Sequence, residues 1–378
     1  MVNPSQVPAM VAAHHDCLRS MFYERFAGYF MRSTYAKDTD FEYDVVAAKL
    51  GYSVYDVSMS HGKEWCEKER NMLNIATLFH VTEPMTAVAV NAAEKLHDDE
   101  RWSPEILPSA NGFMMFEKPM AVADVWGRRT TIAAVSWRRD SIARDVDPTL
   151  PMGTLFTFYT DTTDNSDAYN NALDFSDGHI KELGIFIMSH YGSGFDGTPI
   201  GPMLNPDGTA TLRDYRKRNA EIDAAMQHES PEMAKAHRWL HPEDYDKHGY
   251  PIGSEAPIPE TIADSVNMFR IIYSVFALMQ QSIATLTEET DKKLARRIKG
   301  KRRPPPMVTV IRLRHEEQFG YRDESTGGWL TYRSITRAHW RRQHYGDGSV
   351  KRIFIHAYWR GPEDAPVWQP QRVTSLQR

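Results

Sequence analysis

Three histidines near the end of the chain, His339, His344 and His356, stand among arginines and tyrosines, and that combination carries a definite chemistry. A neutral imidazole takes the proton of a ribose 2′-hydroxyl, and guanidinium groups stabilise the charge that develops on the attacked phosphate, so RNA cleavage without a metal needs no other residue types. On that reading His339 or His356 is the base and Arg341 the phosphate clamp, with Tyr345 or Tyr358 orienting a phosphate or acting as acid. Without chemistry, the same residues make a binding surface, because arginines meet phosphates bidentately and aromatic or guanidinium planes stack on bases.

Positioning these groups requires strands. Three segments after Pro304-Pro305-Pro306 alternate with period two. In Met307 to Arg314, the residues Met307, Thr309, Ile311 and Leu313 oppose Val308, Val310, Arg312 and Arg314. In Leu330 to Arg342, the residues Leu330, Tyr332, Ala338 and Trp340 oppose Arg333, Arg337, His339 and Arg341. In Arg352 to Arg360, the residues Ile353, Ile355, Ala357 and Trp359 oppose Arg352, Phe354, His356, Tyr358 and Arg360. Paired as one sheet, the segments would have an apolar face and a basic, aromatic face. The nucleic-acid-binding set expected is Arg312, Arg314, Arg333, Arg337, Arg342, His344, Tyr345, Arg352, Phe354, Tyr358 and Arg360. The turn Gly346-Asp347-Gly348-Ser349 lets the second and third segments close as a hairpin.

Charge sets this tail apart. The net charge of −5 conceals 20 Lys and Arg against 7 Asp and Glu in residues 292–378, and 25 against 43 in residues 1–291. Such asymmetry fits a polyanion-binding module on an acidic body, and equally fits a basic module docked on that body or on an acidic protein partner. The proline triplet follows the basic run from Lys292 to Arg303 and forbids further helix, so a boundary is expected there, with a body over 1–303 and a basic β module over 304–378.

The body mixes textures, and the expected class is α+β, a helical and β-sheet body with a small basic antiparallel β module at its C-terminus. Helical spacing runs from Gln6 to about Phe30, from Glu64 through Leu78, after Thr82 to near Leu96, and over about 212–240. The clearest helix extends from Pro259 to about Lys299, with a stripe from Ile262 through Phe269, Phe276 and Ile283 to Leu286. Strand-like runs lie at Phe113 to Phe116, Thr131 to Trp137, Thr154 to Tyr159 and Leu183 to Ser189, and turn-rich stretches at 161–177 and 192–211.

Several classes are excluded. Two cysteines, Cys17 and Cys66, make no disulfide framework, and with no apolar leader at the start a reducing cytoplasm is expected. No apolar run is long enough to span a bilayer, since Asp264, Asn267 and Arg270 interrupt the best one. Gly192-Ser193-Gly194-Phe195-Asp196-Gly197 spells a dinucleotide fingerprint, but Pro199 and Pro202 prevent the helix that must open there, so a loop is expected. Phosphate-loop and zinc signatures are absent, and no cofactor or metal is expected. His14, His15 and Cys17, even with His61 and Cys66, lack paired ligand spacing, and the aspartates from Asp161 to Asp177 do not follow calcium-loop order.

The tail also resembles a known family. Ala338-His339-Trp340-Arg341-Arg342-Gln343-His344-Tyr345-Gly346, then Lys351 to His356, then Arg360-Gly361-Pro362-Glu363-Asp364-Ala365-Pro366 are similar to the closing segment of a family of bacterial and mobile-element proteins of uncharacterised function. Gly112 to Pro119 and Ala133 to Trp137 resemble that family's middle section. Ala338 stands where the family has glycine, and His356-Ala357 where it has a proline-containing segment. The resemblance implies no activity and no site residue. The leading expectation is therefore a protein that interacts with RNA or a single strand, the alternatives being a metal-independent endoribonuclease or growth-inhibiting toxin, and a module that binds an acidic protein.

Overall fold

The computed structural model describes residues 2–35, 54–97, 100–123, 129–140, 149–161, 184, 186–200, 210–241, 244–246, 251–258, 260–290, 306–314, 334–336, 338–355 and 358–360. Helices α1 (Val7–Cys17), α2 (Met21–Tyr35) and α3 (Val54–Ile75) precede strand β1 (Thr77–Val81) and helix α4 (Glu83–Glu94). Strands β2 (Asn111–Ala123), β3 (Arg129–Asp140), β4 (Gly153–Asp161) and β5 (Phe186–Phe195) follow. Next come α5 (Leu212–Glu229), α6 (Pro231–Leu240), α7 (Glu260–Met279), β6 (Ala284–Thr290) and β7 (Met307–Leu313). Four short strands close the chain: β8 (Ser334–Thr336), β9 (His339–His344), β10 (Val350–Ile355) and β11 (Tyr358–Arg360). The class is α+β.

The core is a seven-stranded mixed sheet in the order β5-β4-β3-β2-β1-β7-β6. Strand β1 lies parallel to both β2 and β7, and the other pairs are antiparallel. Alternation sends successive side chains to opposite faces. Leu78, Phe113, Met115, Tyr159 and Val308 pack with the residues of α1, α2 and α3. Phe79, Met114, Phe116, Val135, Trp137, Phe156 and Phe158 pack on the other face with α4 and α7. The sheet is thus buried on both sides, and every position of β4 is buried.

Local chemistry explains where elements begin and end. Thr82 precedes α4, whose second residue is Pro84. At its other end, the buried guanidinium of Arg270 on α7 donates to Ala93 O at 2.9 Å and Leu96 O at 2.8 Å. Ala93 O accepts a long bond from Leu96 N at 3.3 Å and Leu96 lies just past the helix, so the arginine adds a charged donor to the negative end of α4.

Four expectations are corrected. The single helix expected over residues 6–30 is two, because Ser20 ends the first and its hydroxyl accepts from Phe22 N at 3.1 Å to cap the second. The long helix expected to Lys299 stops at Met279, and Leu286 belongs to strand β6, where the β-branched Thr285, Thr287 and Thr290 suit a pleated edge. The glycines of 192–194 lie in β5 rather than a loop, since a Cβ on Gly192 would fall 2.7 Å from the Phe269 ring and one on Gly194 2.8 Å from Trp102. Strand β7 lies inside the body sheet between β1 and β6, not in a separate module after the prolines. Its Val308, Val310 and Ile311 are all fully buried, the pattern of a central strand covered on both faces.

Beneath α1 and α3, the sheet carries one buried ion pair. Glu69 of α3, 1% exposed, accepts from Ser136 Oγ at 2.6 Å and from the Tyr159 hydroxyl, and its other oxygen accepts from Arg138 Nη1 at 3.0 Å. Three donors compensate the desolvation of this carboxylate, whereas removing it leaves three buried donors without this acceptor. We predict that Glu69→Ala lowers unfolding stability by about 3–5 kcal/mol, measured as a fall in the urea midpoint.

Candidate nucleic-acid interface

Strands β9 and β10 pair antiparallel as the sequence suggested, from Ile355 opposite His339 to Val350 opposite His344. The turn forms because Gly348 takes φ +81°, the left-handed region that glycine enters without penalty. Tyr345 N donates to Ser349 O at 2.9 Å, and Asp347 accepts from Ser349 N at 2.8 Å; the side chain of Ser349 first, and then its backbone N–H, hold the aspartate carboxyl below its ordinary value.

The register departs from the expected faces. Directly opposed residues point to the same side of an antiparallel pair. Trp340 opposes Phe354 and Arg342 opposes Arg352, while His339 opposes Ile355 and Arg341 opposes Ile353. The two strands are out of phase with the sequence reading. One side carries Trp340, Phe354, Arg342 and Arg352, and the other carries His339, Arg341, Lys351, Ile353 and Ile355.

The first side docks on the body. Trp340 and Phe354 pack at 5.2 Å between ring centroids with their planes tilted by 58°, and join the cluster that contains Ala92 and Tyr273. The Trp340 indole donates to Ala92 O at 2.9 Å, adding a partner at the end of α4, and Phe354 N donates to Gln281 Oε1 at 2.8 Å. Arg352 pairs with Glu100, whose other oxygen accepts from the Tyr273 hydroxyl at 2.7 Å. Burial pushes that phenol up to about 12, so it remains a donor across the physiological range. Ala92, Glu100, Tyr273 and Gln281 were not singled out in the sequence, because nothing in their own segments shows that a strand 60 or more residues away settles on them.

The expected site residues therefore divide. His339, Arg341, Arg342, His344 and Tyr345 are exposed on the hairpin, with Lys351 at 5.7 Å from the centre of the Tyr345 ring. Phe354 is 5% exposed and held against the body, so its ring is not presented for stacking. Arg312 lies on β7 and pairs across to Glu289 at 2.5 Å, and Arg314 follows the same strand as a half-buried residue, both away from the hairpin's register. Tyr358 and Arg360 belong to β11, which pairs with β8 in a second two-stranded ribbon instead of extending β9 and β10. Arg333, Arg337 and His356 lie outside the described residues.

Among the described residues no group of three or more His, Cys, Asp or Glu side chains is placed to hold a metal ion, and His14 points its ring into an aromatic enclosure. Also among them, no helix is long and apolar enough to cross a membrane. The electrostatic character of the hairpin is set by Arg341, Arg342 and Lys351. Among the described residues none of the three has a carboxylate within ion-pair distance, Asp347 acting on Lys351 only at longer range, in contrast to Arg312 and Arg352.

Docking through Trp340, Phe354 and Arg352 makes a specific prediction. Trp340→Ala combined with Phe354→Ala should free the hairpin, raising the rate of limited proteolysis between Tyr345 and Lys351 by roughly tenfold or more, and Trp340→Ala alone should raise it less. The melting temperature of the seven-stranded core should move by only a few degrees. Compared with protein-family models and with curated proteins, the chain finds no match.

Proposed function

We propose that this protein binds RNA or another single-stranded nucleic acid through the exposed side of the β9–β10 hairpin. The observation that carries the reading is the division of cations. Arg352 and Arg312 are neutralised by Glu100 and Glu289, whereas Arg341 and Lys351, on the side turned away from the body, stand in solvent with no carboxylate within ion-pair distance among the described residues. A docked hairpin holds its strands in place, so guanidinium groups there meet phosphates at little further entropic cost. Tyr345, 44% exposed at the turn, supplies a ring for stacking on a base. The specific stretch of the family resemblance, Ala338 to Gly346, is this same strand and the start of its turn.

Docking on the acidic body, the competing explanation for a basic tail, uses Arg352 and the two aromatic rings and leaves the exposed cations unspent. The ribonuclease reading draws on one further feature: His339 and Arg341 are two residues apart on one strand and share a side, the spacing at which a base and a phosphate clamp reach one ligand.

The test is a mobility-shift titration with labelled single-stranded RNA, single-stranded DNA and duplex, in chelator, across a salt series. The double substitution Arg341→Glu with Lys351→Glu should weaken single-strand binding by more than tenfold. It should also reduce the steepness of the salt dependence by about two phosphate contacts. Unchanged affinity in that variant would remove the hairpin from the interface. RNA cleavage in the same lanes that vanishes in His339→Ala would identify the enzyme. A native protein that shifts none of the probes and is captured by an acidic polypeptide would make the hairpin a protein-binding module.

A further inference from the structure

Helix α1 lies on the sheet with Val7, Val11 and His14 buried, at spacings of four and three residues. His14 thus occupies a position in an apolar stripe where leucine or phenylalanine would be ordinary. It is 2% exposed, and neither ring nitrogen has a hydrogen-bond partner. Four rings surround it: Tyr159 at 4.9 Å, Tyr23 and Phe186 each at 5.7 Å, and Phe113 at 6.5 Å between centroids. The two hydroxyls in that enclosure are committed elsewhere, Tyr23 to Phe186 O at 3.1 Å and Tyr159 to Glu69. An imidazole so placed packs well only when neutral.

We propose that α1 is an acid-released lid on this face of the sheet, with His14 as its trigger. Protonation places a positive charge among four rings with no acceptor for its two N–H groups, whereas in an opened helix both groups meet water. The neighbouring charges do not offset this. On α1 itself, His15 stands beside Asp16 at 3.5 Å, and its own charge opposes a second one on His14. Cys17 on α1 and Cys66 on α3 are thiols, and burial pushes the second well up. Tyr23 on α2 and Tyr159 on β4 remain un-ionised for the same reason. Among the described residues, the carboxylate behind the enclosure is Glu69 on α3, and it is matched by Arg138. Phe113 of β2 and Phe186 of β5 carry no charge. Burial accordingly holds His14 down to about 3, against its ordinary 6.5.

The sign follows from that depression. The neutral form is favoured in the closed helix, so closure is fully supported above pH 6.5 and weakens progressively as pH falls toward 3. Opening bares the sheet face that carries Tyr159 and, behind it, the Glu69–Arg138 pair, so the release exposes a polar centre rather than a uniformly greasy surface. His80 is a second buried histidine on the same side of the sheet: its Nε2 donates to Val2 O at 2.9 Å and its Nδ1 has no partner. Burial lowers its value while the bond to Val2 opposes that, so the His80→Phe variant separates its contribution from that of His14.

The experiment is native-state hydrogen exchange on the full chain between pH 7.5 and 5.0, with rates normalised for the intrinsic pH effect. In the unsubstituted protein, amide protection across Val7–Cys17 should fall by about 30-fold, the factor that linkage to a histidine of ordinary unfolded value gives. Protection in β3 and β4 should fall by much less. His14→Phe, which suits a ring-lined site, should abolish the fall, and His14→Leu provides the same comparison should the first variant fold poorly. His80→Phe should leave the fall in place. Protection of α1 that does not change with pH in the unsubstituted protein, or a fall that survives in both His14 variants, would overturn the proposal. So would loss of the fall in His80→Phe.

Discussion

The C-terminal end of α4 is the constraint on which most of the molecule turns. Its last carbonyls point into protein rather than water, and an unmatched buried carbonyl is among the more expensive faults a fold can carry. Arg270 of α7 donates to Ala93 O and to Leu96 O just beyond the helix, and the Trp340 indole donates to Ala92 O, each reinforcing the backbone bonds of the last turn. One helix end thereby fixes where α7 crosses the sheet and where the hairpin settles. An arginine in the middle of an apolar helix reads as an interruption when α7 is taken alone. In the fold it is the group that allows α4 to end inside the core.

Much of this architecture is legible in the residues, and the exceptions share causes. Strands β2, β3 and β4 announce themselves because their apolar residues run without break, as strands covered on both faces must. Strand β1 is hidden, since Leu78-Phe79-His80-Val81 is too short to separate from the helix before it. Strand β7 was visible as a strand but assigned to the wrong neighbours: period-two alternation identifies a strand and says nothing about its partner in the sheet. The hairpin was legible through its glycine turn, yet its two faces were not. Which residues share a side depends on pairing register, and the register here aligns Trp340 with Phe354 by anchoring both to the body.

The charge asymmetry of the sequence resolves into two uses of the same residue type. Some arginines of the tail serve cohesion, pairing with Glu100 or Glu289 at partly buried positions. Others remain on the outer strand, where screening makes any intramolecular attraction weak. Histidines divide in a comparable way. His339 and His344 are exposed, while His14, His190 and His237 are packed as neutral rings, the last two held down to about 4 by burial. Residue type alone does not separate these roles, because the same side chain serves as ligand contact or as core filler according to its solvent environment.

The out-of-phase hairpin makes the length of its turn a structural parameter. Strand β9 is tied to the body at Trp340, and β10 is tied independently at Phe354 and Arg352, with only Tyr345–Ser349 between the paired ends. Adding or deleting one residue in that span would advance β10 by half a pleat and turn Phe354 outward in exchange for Ile353 or Ile355. Natural relatives of this chain should therefore vary freely in the identity of the turn's exposed residues while keeping their number, an insertion pattern opposite to that of an ordinary surface loop.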